Sequence, residues 1–289
     1  MRTKTLRRKN VPMTNRQILE DIKQKLSSAG IEEASNDAWL LFEGITGMNR
    51  TDYLLRAGEE FDFPFPERLR NAAERRCAHE PLQYILGKAY FMGFEFEVNP
   101  SVLIPRYDTE VLAEEAARYA DADSEVLDMC TGSGCIAISV ALLTKARRVI
   151  GADISGRALT VAERNRKRLN AENVGFVKSD MFGAISGTFD MILSNPPYIK
   201  SEDIEGLMSE VRDCEPRLAL DGHEDGLFFY RILAKEGFGH LKPGGHIMME
   251  IGFGQAREVS ALLEMYDYAD IRVIKDLAGL DRVVCGRRI

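Results

Sequence analysis

The sequence predicts an α/β protein: a mostly parallel, doubly wound sheet with a C-terminal antiparallel hairpin, preceded by a small helical domain. Three observations predict this fold. From residue 125 onward, strand-like apolar runs alternate with helical patterns, which is typical of a parallel sheet with helices on both faces. The last two strand-like runs are separated only by "LAGL", too short for a crossover, so they form a hairpin. The region before residue 83 contains helical patterns alone.

Composition excludes several classes of protein. The chain has 289 residues, of which 45% are hydrophobic and 29% charged, with a net charge of −7. The acidic balance argues against a direct nucleic-acid partner, and the longest apolar run, residues 134–143, is too short to span a membrane. The five cysteines lack a CxxC pair, and no apolar segment follows the basic N-terminus. We therefore expect a reduced, cytoplasmic protein, with a monomer as the working expectation.

The N-terminal part divides into a tail and a helical bundle. Residues 1–12 are basic and predict a disordered tail. Residues 13–82 predict a helical bundle, whose first helix opens with a capping box formed by Thr14 and Gln17 and ends at Gly30, a residue that favours helix termination. The four histidines share no metal-ligand spacing, so no metal site is expected.

A linking hairpin is predicted over residues 83–108. "FMGFEFEV" alternates between apolar and acidic residues, as a half-buried strand does, and pairs with the preceding "YILGKAYF". Asp108 is a candidate cap for a helix that begins near Thr109. The α/β domain then occupies residues 109–289.

Five strand-like runs, each long enough for a buried strand, alternate with four helical patterns in this domain. The strands are "EVLDMC", "RVIGADIS", "VGFVKSD", "FDMILSN" and "HIMMEIG"; the helices are "GCIAISVALLTKA", "RALTVAERNRKRLN", "GLFFYRILAKEGFGHL" and "QAREVSALLEMY".

A glycine-containing turn follows the first of these strands. Gly132 and Gly134 in "LDMCTGSGC" allow a tight turn and close approach of a ligand to the helix N-terminus. Asp153 ends the second strand, where a carboxylate can accept both ribose hydroxyls of a nucleoside, and Asp180 ends the third, where an adenine edge would lie. The nucleoside could belong to NAD or to S-adenosylmethionine, and a purely structural turn is the remaining alternative.

The fourth strand ends in "SNPPYI". Two consecutive prolines fix the backbone at Pro196 and Pro197 and hold Asn195 extended. The Asn195 side-chain oxygen and the Pro196 carbonyl are two acceptors that can grip a planar –NH₂ group, and Tyr198 can stack on it. This arrangement suits methylation of an amide or an exocyclic amine. The alternative is a turn that only ends the strand.

The chain resembles a known family. "NPPY", "TGSG" and Asp153 are typical of amino-directed S-adenosylmethionine methyltransferases. The stretches "PLQYILGKAYFMGFEFEV", "VLIPRYDTE", "EVRDCEPRLALDGHEDGL", "LKPGGHIMMEIG" and "KDLAGLDRVV" closely resemble the glutamine methyltransferases that act on peptide chain release factors, from about residue 80 to the end. The resemblance implies a Rossmann-like catalytic domain and a cofactor, S-adenosyl-L-methionine, that becomes S-adenosyl-L-homocysteine. It also implies a substrate, the Gly-Gly-Gln loop of class I release factors, so that the enzyme modulates translation termination.

Carried over by position, the family's cofactor loop falls on Cys130, Thr131, Gly132, Ser133 and Gly134, its ribose acid on Asp153, and an adenine-side contact on Asp180 or Met181. The substrate-gripping and catalytic motif falls on Asn195, Pro196, Pro197 and Tyr198, with Asn195 also beside the cofactor. The helical bundle would recognise the substrate protein. Three positions depart from the family pattern: Cys130 replaces a usual glycine, Tyr107 a proline, and Met181 a common aromatic residue.

Two further side chains have two interpretations each. Glu250 is interpreted as ordering a loop rather than acting as a base, and Arg106 as binding substrate or capping a helix. Three alternative functions stay open at this point. The chain could be a ribosomal-protein glutamine methyltransferase, a nucleic-acid adenine methyltransferase acting on a flipped base or, more remotely, a non-enzymatic binding module.

Overall fold

The computed structural model describes residues 13–61 and 65–289, so the tail predicted over residues 1–12 lies outside the described residues. The chain forms two compact units that divide between Leu86 and Gly87. The predicted boundary after residue 82 falls inside a short helix. It differs because Leu82, Ile85 and Leu86 pack against the hydrophobic core of the first unit.

The first unit is helical, as predicted. Its α1 begins with the expected capping box, in which Thr14 Oγ1 accepts from Gln17 N at 3.3 Å and Gln17 Oε1 accepts from Thr14 N at 2.9 Å. Gly30 follows the end of α1 with φ of 80°, a conformation that glycine adopts without strain. The helices are α1 (Asn15–Ser28), α2 (Ala34–Thr46), α3 (Arg50–Arg56), α4 (Phe65–Cys77) and α5 (Leu82–Leu86).

The second unit opens with the hairpin of β1 (Lys88–Phe91) and β2 (Phe94–Glu97). The prediction that the first strand already runs from residue 84 is wrong, because residues 84–86 belong to α5. Phe91 and Phe96 are fully buried in the core beneath the large sheet. The hairpin is therefore an integral part of the second unit rather than a linker.

A seven-stranded sheet forms the centre of this unit, in the order β5-β4-β3-β6-β7-β9-β8. The first five strands in that order are parallel, and β9 and β8 are antiparallel, which confirms the predicted terminal hairpin. The strands are β3 (Glu125–Met129), β4 (Arg148–Asp153), β5 (Val174–Lys178), β6 (Phe189–Ser194), β7 (Leu241–Glu250), β8 (Tyr268–Lys275) and β9 (Asp281–Arg288); the helices are α6 (Glu110–Ala117), α7 (Cys135–Thr144), α8 (Gly156–Arg168), α9 (Ser209–Cys214), α10 (Phe228–His240) and α11 (Ala256–Met265).

Successive side chains of the strands enter two different cores. Val126 and Leu193 pack with α6 and α7 on one face of the sheet. Leu127 and Ile192 pack with α10 and α11 on the other. This alternation is the period of two that a strand imposes, and it means that both faces of the sheet are covered.

The order of the strands creates a crevice at one edge of the sheet. From β3 the chain proceeds to β4 and β5 on one side, then returns to place β6 on the opposite side of β3. The loops that leave the carboxyl ends of β3 and β6 therefore diverge. Ligands of open α/β sheets bind at this topological switch point, which is where the predicted glycine loop and the Asn-Pro-Pro-Tyr corner lie.

No helix among the described residues is long and apolar enough to cross a membrane. Within residues 13–61 and 65–289, no cluster of histidine, cysteine or acidic side chains could hold a metal ion.

Candidate active site

The glycine loop, residues 130–134, connects β3 to α7. Gly132 and Gly134 have φ of 55° and 79°, so both need the freedom of glycine. A Cβ on Gly134 would approach the Phe176 ring to 3.0 Å, whereas a Cβ on Gly132 would meet nothing within 4 Å. Gly134 is thus required for packing of the loop, and Gly132 leaves open space beside the backbone.

Cys130 also has a left-handed backbone, with φ of 63°. A residue with a Cβ pays roughly 1–2 kcal/mol for this conformation. The glycine that the family usually has at this position would adopt this conformation without strain, whereas Cys130 adopts it at that cost. The loop nevertheless closes, with Thr131 N donating to Ala152 O at 3.0 Å and Gly134 N to Thr131 O at 2.8 Å.

Asp153 lies across the loop at the end of β4. Its Oδ2 accepts from Gly132 N at 2.9 Å and its Oδ1 from Ser155 N at 2.8 Å. Burial raises the pKa of Asp153, while these two backbone hydrogen bonds oppose the rise. A carboxylate has about four acceptor sites, so about two remain for hydroxyl donors. With the open space at Gly132, the residues present fit a nucleoside.

Sequence reasoning missed two buried side chains that support the loop. Asp128 Oδ2 accepts from the Thr131 hydroxyl at 2.6 Å and from Ala137 N at 3.2 Å, whereas Asp128 Oδ1 has no hydrogen-bond partner among the described residues. Burial raises the pKa of Asp128 to about 7. A sequence signal for Asp128 existed, because an acidic residue stands within the predicted buried strand in "LDMCTGSGC".

The second is Asn165 on α8, fully buried. Its Nδ2 donates to Ser133 O at 2.9 Å and to Glu97 O at 3.0 Å, and its Oδ1 accepts from Glu97 N. Asn165 thereby ties the glycine loop to the hairpin strand β2. A single asparagine in an amphipathic helix gives no sequence signal for this role.

The two candidates for the adenine side differ in accessibility. Asp180 is exposed, whereas Met181 is 7% exposed and its side chain belongs to the core beneath the sheet. Met181 has φ of 44° and its carbonyl accepts from the Ser179 hydroxyl. A base lying here would therefore meet the exposed carboxylate of Asp180, whereas Met181 offers it little side-chain surface.

The Asn-Pro-Pro-Tyr corner follows β6. Asn195 Nδ2 donates to Thr109 Oγ1 at 3.1 Å, which leaves Asn195 Oδ1 as an acceptor. Among the described residues, none donates to Asn195 Oδ1 or to the Pro196 carbonyl. Pro196 and Pro197 are buried. Two unused acceptors therefore belong to adjacent residues of a backbone that the prolines fix.

The backbone of Tyr198 is fixed by contacts with Gln255 and with the segment around Gly222 and Gly226. Gln255 Nε2 donates to Tyr198 O at 3.1 Å and to Gly226 O at 3.2 Å. A Cβ on Gly226 would lie 2.4 Å from Tyr198 O, and one on Gly222 would lie 2.8 Å from Tyr198 C. The corner is thus clamped by a loop that only glycine allows to approach so closely, and neither Gln255 nor these glycines was singled out from the sequence.

Glu250, at the end of β7, is buried beside the corner, only 2% exposed. Burial raises its pKa to about 7, against the opposing effects of polar contacts with Thr109 and Asn195 and of the Arg282 charge. Its Oε2 has no hydrogen-bond partner among the described residues. A buried acid with an unused oxygen, and with no ion pair within the part of the chain that the structure describes, is an unusual structural element.

The loop before α6 brings Thr109 to the corner. Asp108 does not cap a helix as predicted: residues Tyr107–Thr109 form a 3₁₀ turn, and Asp108 pairs with Arg282 at 3.1 Å. Arg106 makes no helix cap either; its guanidinium pairs with Glu215, whose other oxygen accepts from Ile104 N at 3.2 Å. The ion pair fastens this loop to the end of α9.

All predicted site residues thus come together at one edge of the sheet, from the loops after β3, β4, β5 and β6. Comparison with known proteins shows which family the chain belongs to. Two family models match the chain, the PrmC N-terminal domain over residues 17–87 and the methyltransferase small domain over residues 107–223. A release factor glutamine methyltransferase of Geobacter sulfurreducens is 42% identical over 279 residues, covering 95% of this chain and 96% of that protein.

The chain belongs to the release factor glutamine methyltransferase family. Another relative with this name, from Caulobacter vibrioides, is 39% identical over 268 residues, covering 91% of this chain and 93% of its own length. The resemblance drawn from the sequence motifs is thereby confirmed. A methyltransferase of Pyrococcus furiosus, 20% identical, matches 75% of this chain and 98% of its own with a TM-score of 0.53, which supports the methyltransferase fold for this member of the family.

Proposed function

We propose that this chain methylates the side-chain amide nitrogen of the glutamine in the Gly-Gly-Gln motif of class I peptide chain release factors, and so modulates translation termination. The observation that carries the proposal is the pair of unused acceptors, Asn195 Oδ1 and the Pro196 carbonyl, beside a glycine loop at the switch point of the sheet. Relatives that share nearly the whole chain bear the name of this activity.

The cofactor of the proposal is S-adenosyl-L-methionine. When bound, it supplies an electrophilic methyl group. Residues 130–134 and the N-terminus of α7 would hold it, with Gly132 giving the backbone access and Asp153 offering its remaining lone pairs to the ribose hydroxyls. Asp180 and Met181 would border the adenine. Cys130 would contribute its backbone rather than a thiolate, because burial keeps the pKa of its thiol well above the usual range.

The corner would bind the glutamine amide through both of its N–H groups. An amide nitrogen is a poor nucleophile because its lone pair is conjugated with the carbonyl. Two acceptors fixed in place, Asn195 Oδ1 and the Pro196 carbonyl, favour a nitrogen whose hydrogens point at them and whose lone pair points away. Preorganised polar groups of this kind cost no reorganisation at the moment of reaction. Tyr198 would cover the plane of the amide.

We assign the helical unit to recognition of the release factor body, because the cofactor and amide sites are both built from the second unit alone. A cytoplasmic location belongs to the same proposal, since none of the five cysteines, all of which lie among the described residues, forms a disulfide, and release factors act during translation.

The test is an assay with purified chain, labelled S-adenosylmethionine and purified class I release factor. We expect one methyl group on the glutamine of Gly-Gly-Gln, located by mass spectrometry, and none on a factor in which this glutamine is alanine. Label on a ribosomal protein or on nucleic acid, with none on the release factor, would overturn the proposal in favour of the corresponding alternative.

A further inference from the structure

Three side chains from separate elements meet beside the corner. Ser194 pairs with Met249 in the parallel register of β6 and β7, so the next residues, Asn195 and Glu250, lie side by side. Side chains alternate along a strand, and Leu193 and Met248 both enter the core that α6 covers. Asn195 and Glu250 therefore project toward α6, whose preceding residue is Thr109.

This arrangement bears on the orientation of one amide. The two ends of an asparagine side chain have the same shape but opposite hydrogen-bonding character, so its environment decides which end faces a ligand. The grip on a glutamine –NH₂ needs Oδ1 outward. With Nδ2 outward, the corner would present a donor to a donor.

Thr109 alone does not settle the orientation, because a hydroxyl both donates and accepts. An ionised carboxylate only accepts. Thr109, buried at 3% exposure, accepts from Asn195 Nδ2, which leaves its own O–H for the Glu250 carboxylate; this carboxylate also has a polar contact with the Asn195 amide. The carboxylate thereby favours Nδ2 of Asn195 inward and Oδ1 outward.

We propose that Glu250, acting through Thr109 and through its own contact with the Asn195 amide, is a positioning residue that fixes this amide with Oδ1 toward the substrate nitrogen. The inference rests on the proposed function. It gives a role to a buried carboxyl whose Oε2 has no partner among the residues that the structure describes. A protonated Glu250 becomes a donor and favours the reverse orientation, so the grip should depend on the charge of this group.

Charged and titratable groups from several elements surround Glu250. Arg282 on β9 favours its ionised form and Asp108, before α6, opposes it. Glu250 in turn raises the pKa of two tyrosines, Tyr198 after β6 and Tyr230 on α10, and of Cys135 on α7. Tyr198, Tyr230 and Cys135 all have pKa values raised by burial, so they stay neutral near pH 7 and do not titrate with Glu250.

The experiment compares Glu250→Gln with the wild type on a Gly-Gly-Gln peptide between pH 6 and 9. For the wild type, we expect kcat/KM to fall as the pH drops through about 7. For Glu250→Gln, we expect kcat/KM at pH 8 to be roughly 10–100-fold lower than in the wild type, the range found when a residue that orients a metal ligand is replaced. The acid limb, meaning the fall of kcat/KM as the pH drops through about 7, should disappear in this variant. Its melting temperature at pH 8 should not fall, because a buried charge is removed.

Thr109 supplies a matched pair. Thr109→Ser keeps the hydroxyl and should retain kcat/KM within about threefold, whereas Thr109→Val keeps the shape and should lose about tenfold or more. Glu115→Gln is the control for a buried carboxyl elsewhere, because Glu115 is 2% exposed and pairs with Arg118 and Arg272. This variant should be less stable than the wild type, but its kcat/KM should fall at low pH as in the wild type.

The outcomes separate the two proposals. A wild type that transfers no methyl group to the peptide or the release factor contradicts the proposed function itself. A wild type that transfers it, together with a Glu250→Gln variant of normal kcat/KM and unchanged acid limb, overturns the positioning role alone. Equal losses in Thr109→Ser and Thr109→Val overturn it as well.

Discussion

Asn195 uses the two ends of one amide for two different tasks. Its Nδ2 is bound by Thr109 at 3.1 Å, and its Oδ1 stays available at the corner. The sequence motif predicted the acceptor, but Thr109, the partner of the other end of the amide, lies 86 residues earlier in the chain.

Replacing Asn195 tests the amide grip directly. In Asn195→Ala, turnover should fall roughly 10²–10³-fold, the range for loss of one preorganised polar contact. The side chain is only partly buried, so the melting temperature should change little. Steady-state kinetics with the release factor, alongside thermal unfolding, measure both. Turnover within about threefold of the wild type would contradict the grip.

Cys130 offers a test of backbone strain. Because its φ is 63°, Cys130→Gly should be more stable than Cys130→Ala by about 1 kcal/mol, the reverse of the usual preference for alanine over glycine. Both variants remove the thiol, so their difference isolates the backbone. Chemical denaturation of the two variants gives the free energies of unfolding; a more stable alanine variant would show that the loop relaxes to another conformation.

At the scale of elements, the corner depends on loops that pack against it. The segment around Gly222 and Gly226 lies so close to Tyr198 that a Cβ would overlap its backbone. Gln255, at the start of α11, joins the same two segments by hydrogen bonds. The two prolines restrict the corner, and these neighbours fix its position relative to the glycine loop.

Gly226→Ala separates strain from overlap. Its Cβ would lie 2.4 Å from Tyr198 O, at φ of 74°; Gly279, in the turn between β8 and β9, has φ of 81° and nothing within 4 Å. Both alanine variants should lose about 1 kcal/mol of unfolding free energy from the left-handed backbone. Only Gly226→Ala should also lose turnover, by about tenfold or more. Equal turnover in the two variants would show that the position of the corner does not matter.

At the scale of the whole molecule, two buried carboxyls on different strands make stability depend on pH. The pKa values of Asp128 on β3 and Glu250 on β7 are both raised to about 7 by burial. Their folded pKa values exceed the unfolded ones, so between about pH 4 and 7 the folded state binds more protons than the unfolded state. These two groups therefore lower the free energy of unfolding as the pH rises through that range.

Removing either charge should change this dependence. Relative to the wild type, Asp128→Asn should gain stability between pH 5 and pH 8, by up to about 3 kcal/mol at roughly 1.4 kcal/mol per pKa unit. Urea unfolding of both proteins at the two pH values measures the difference. A difference that stays constant with pH would mean that Asp128 remains ionised in the folded protein throughout.

The succession of strands and helices along the chain, the terminal hairpin, the glycine loop and the corner could all be predicted from the sequence, because each depends on residues close together in the chain. Long-range packing determined that α5 replaces the start of the predicted hairpin, since Leu82, Ile85 and Leu86 pack against the core of the first unit. It also decided the supports of the site, Asn165, Gln255, Thr109 and Glu250. Each of the four makes at least one contact with a residue more than 50 positions away in the chain, and a contact of that kind leaves no periodic or local pattern in the sequence.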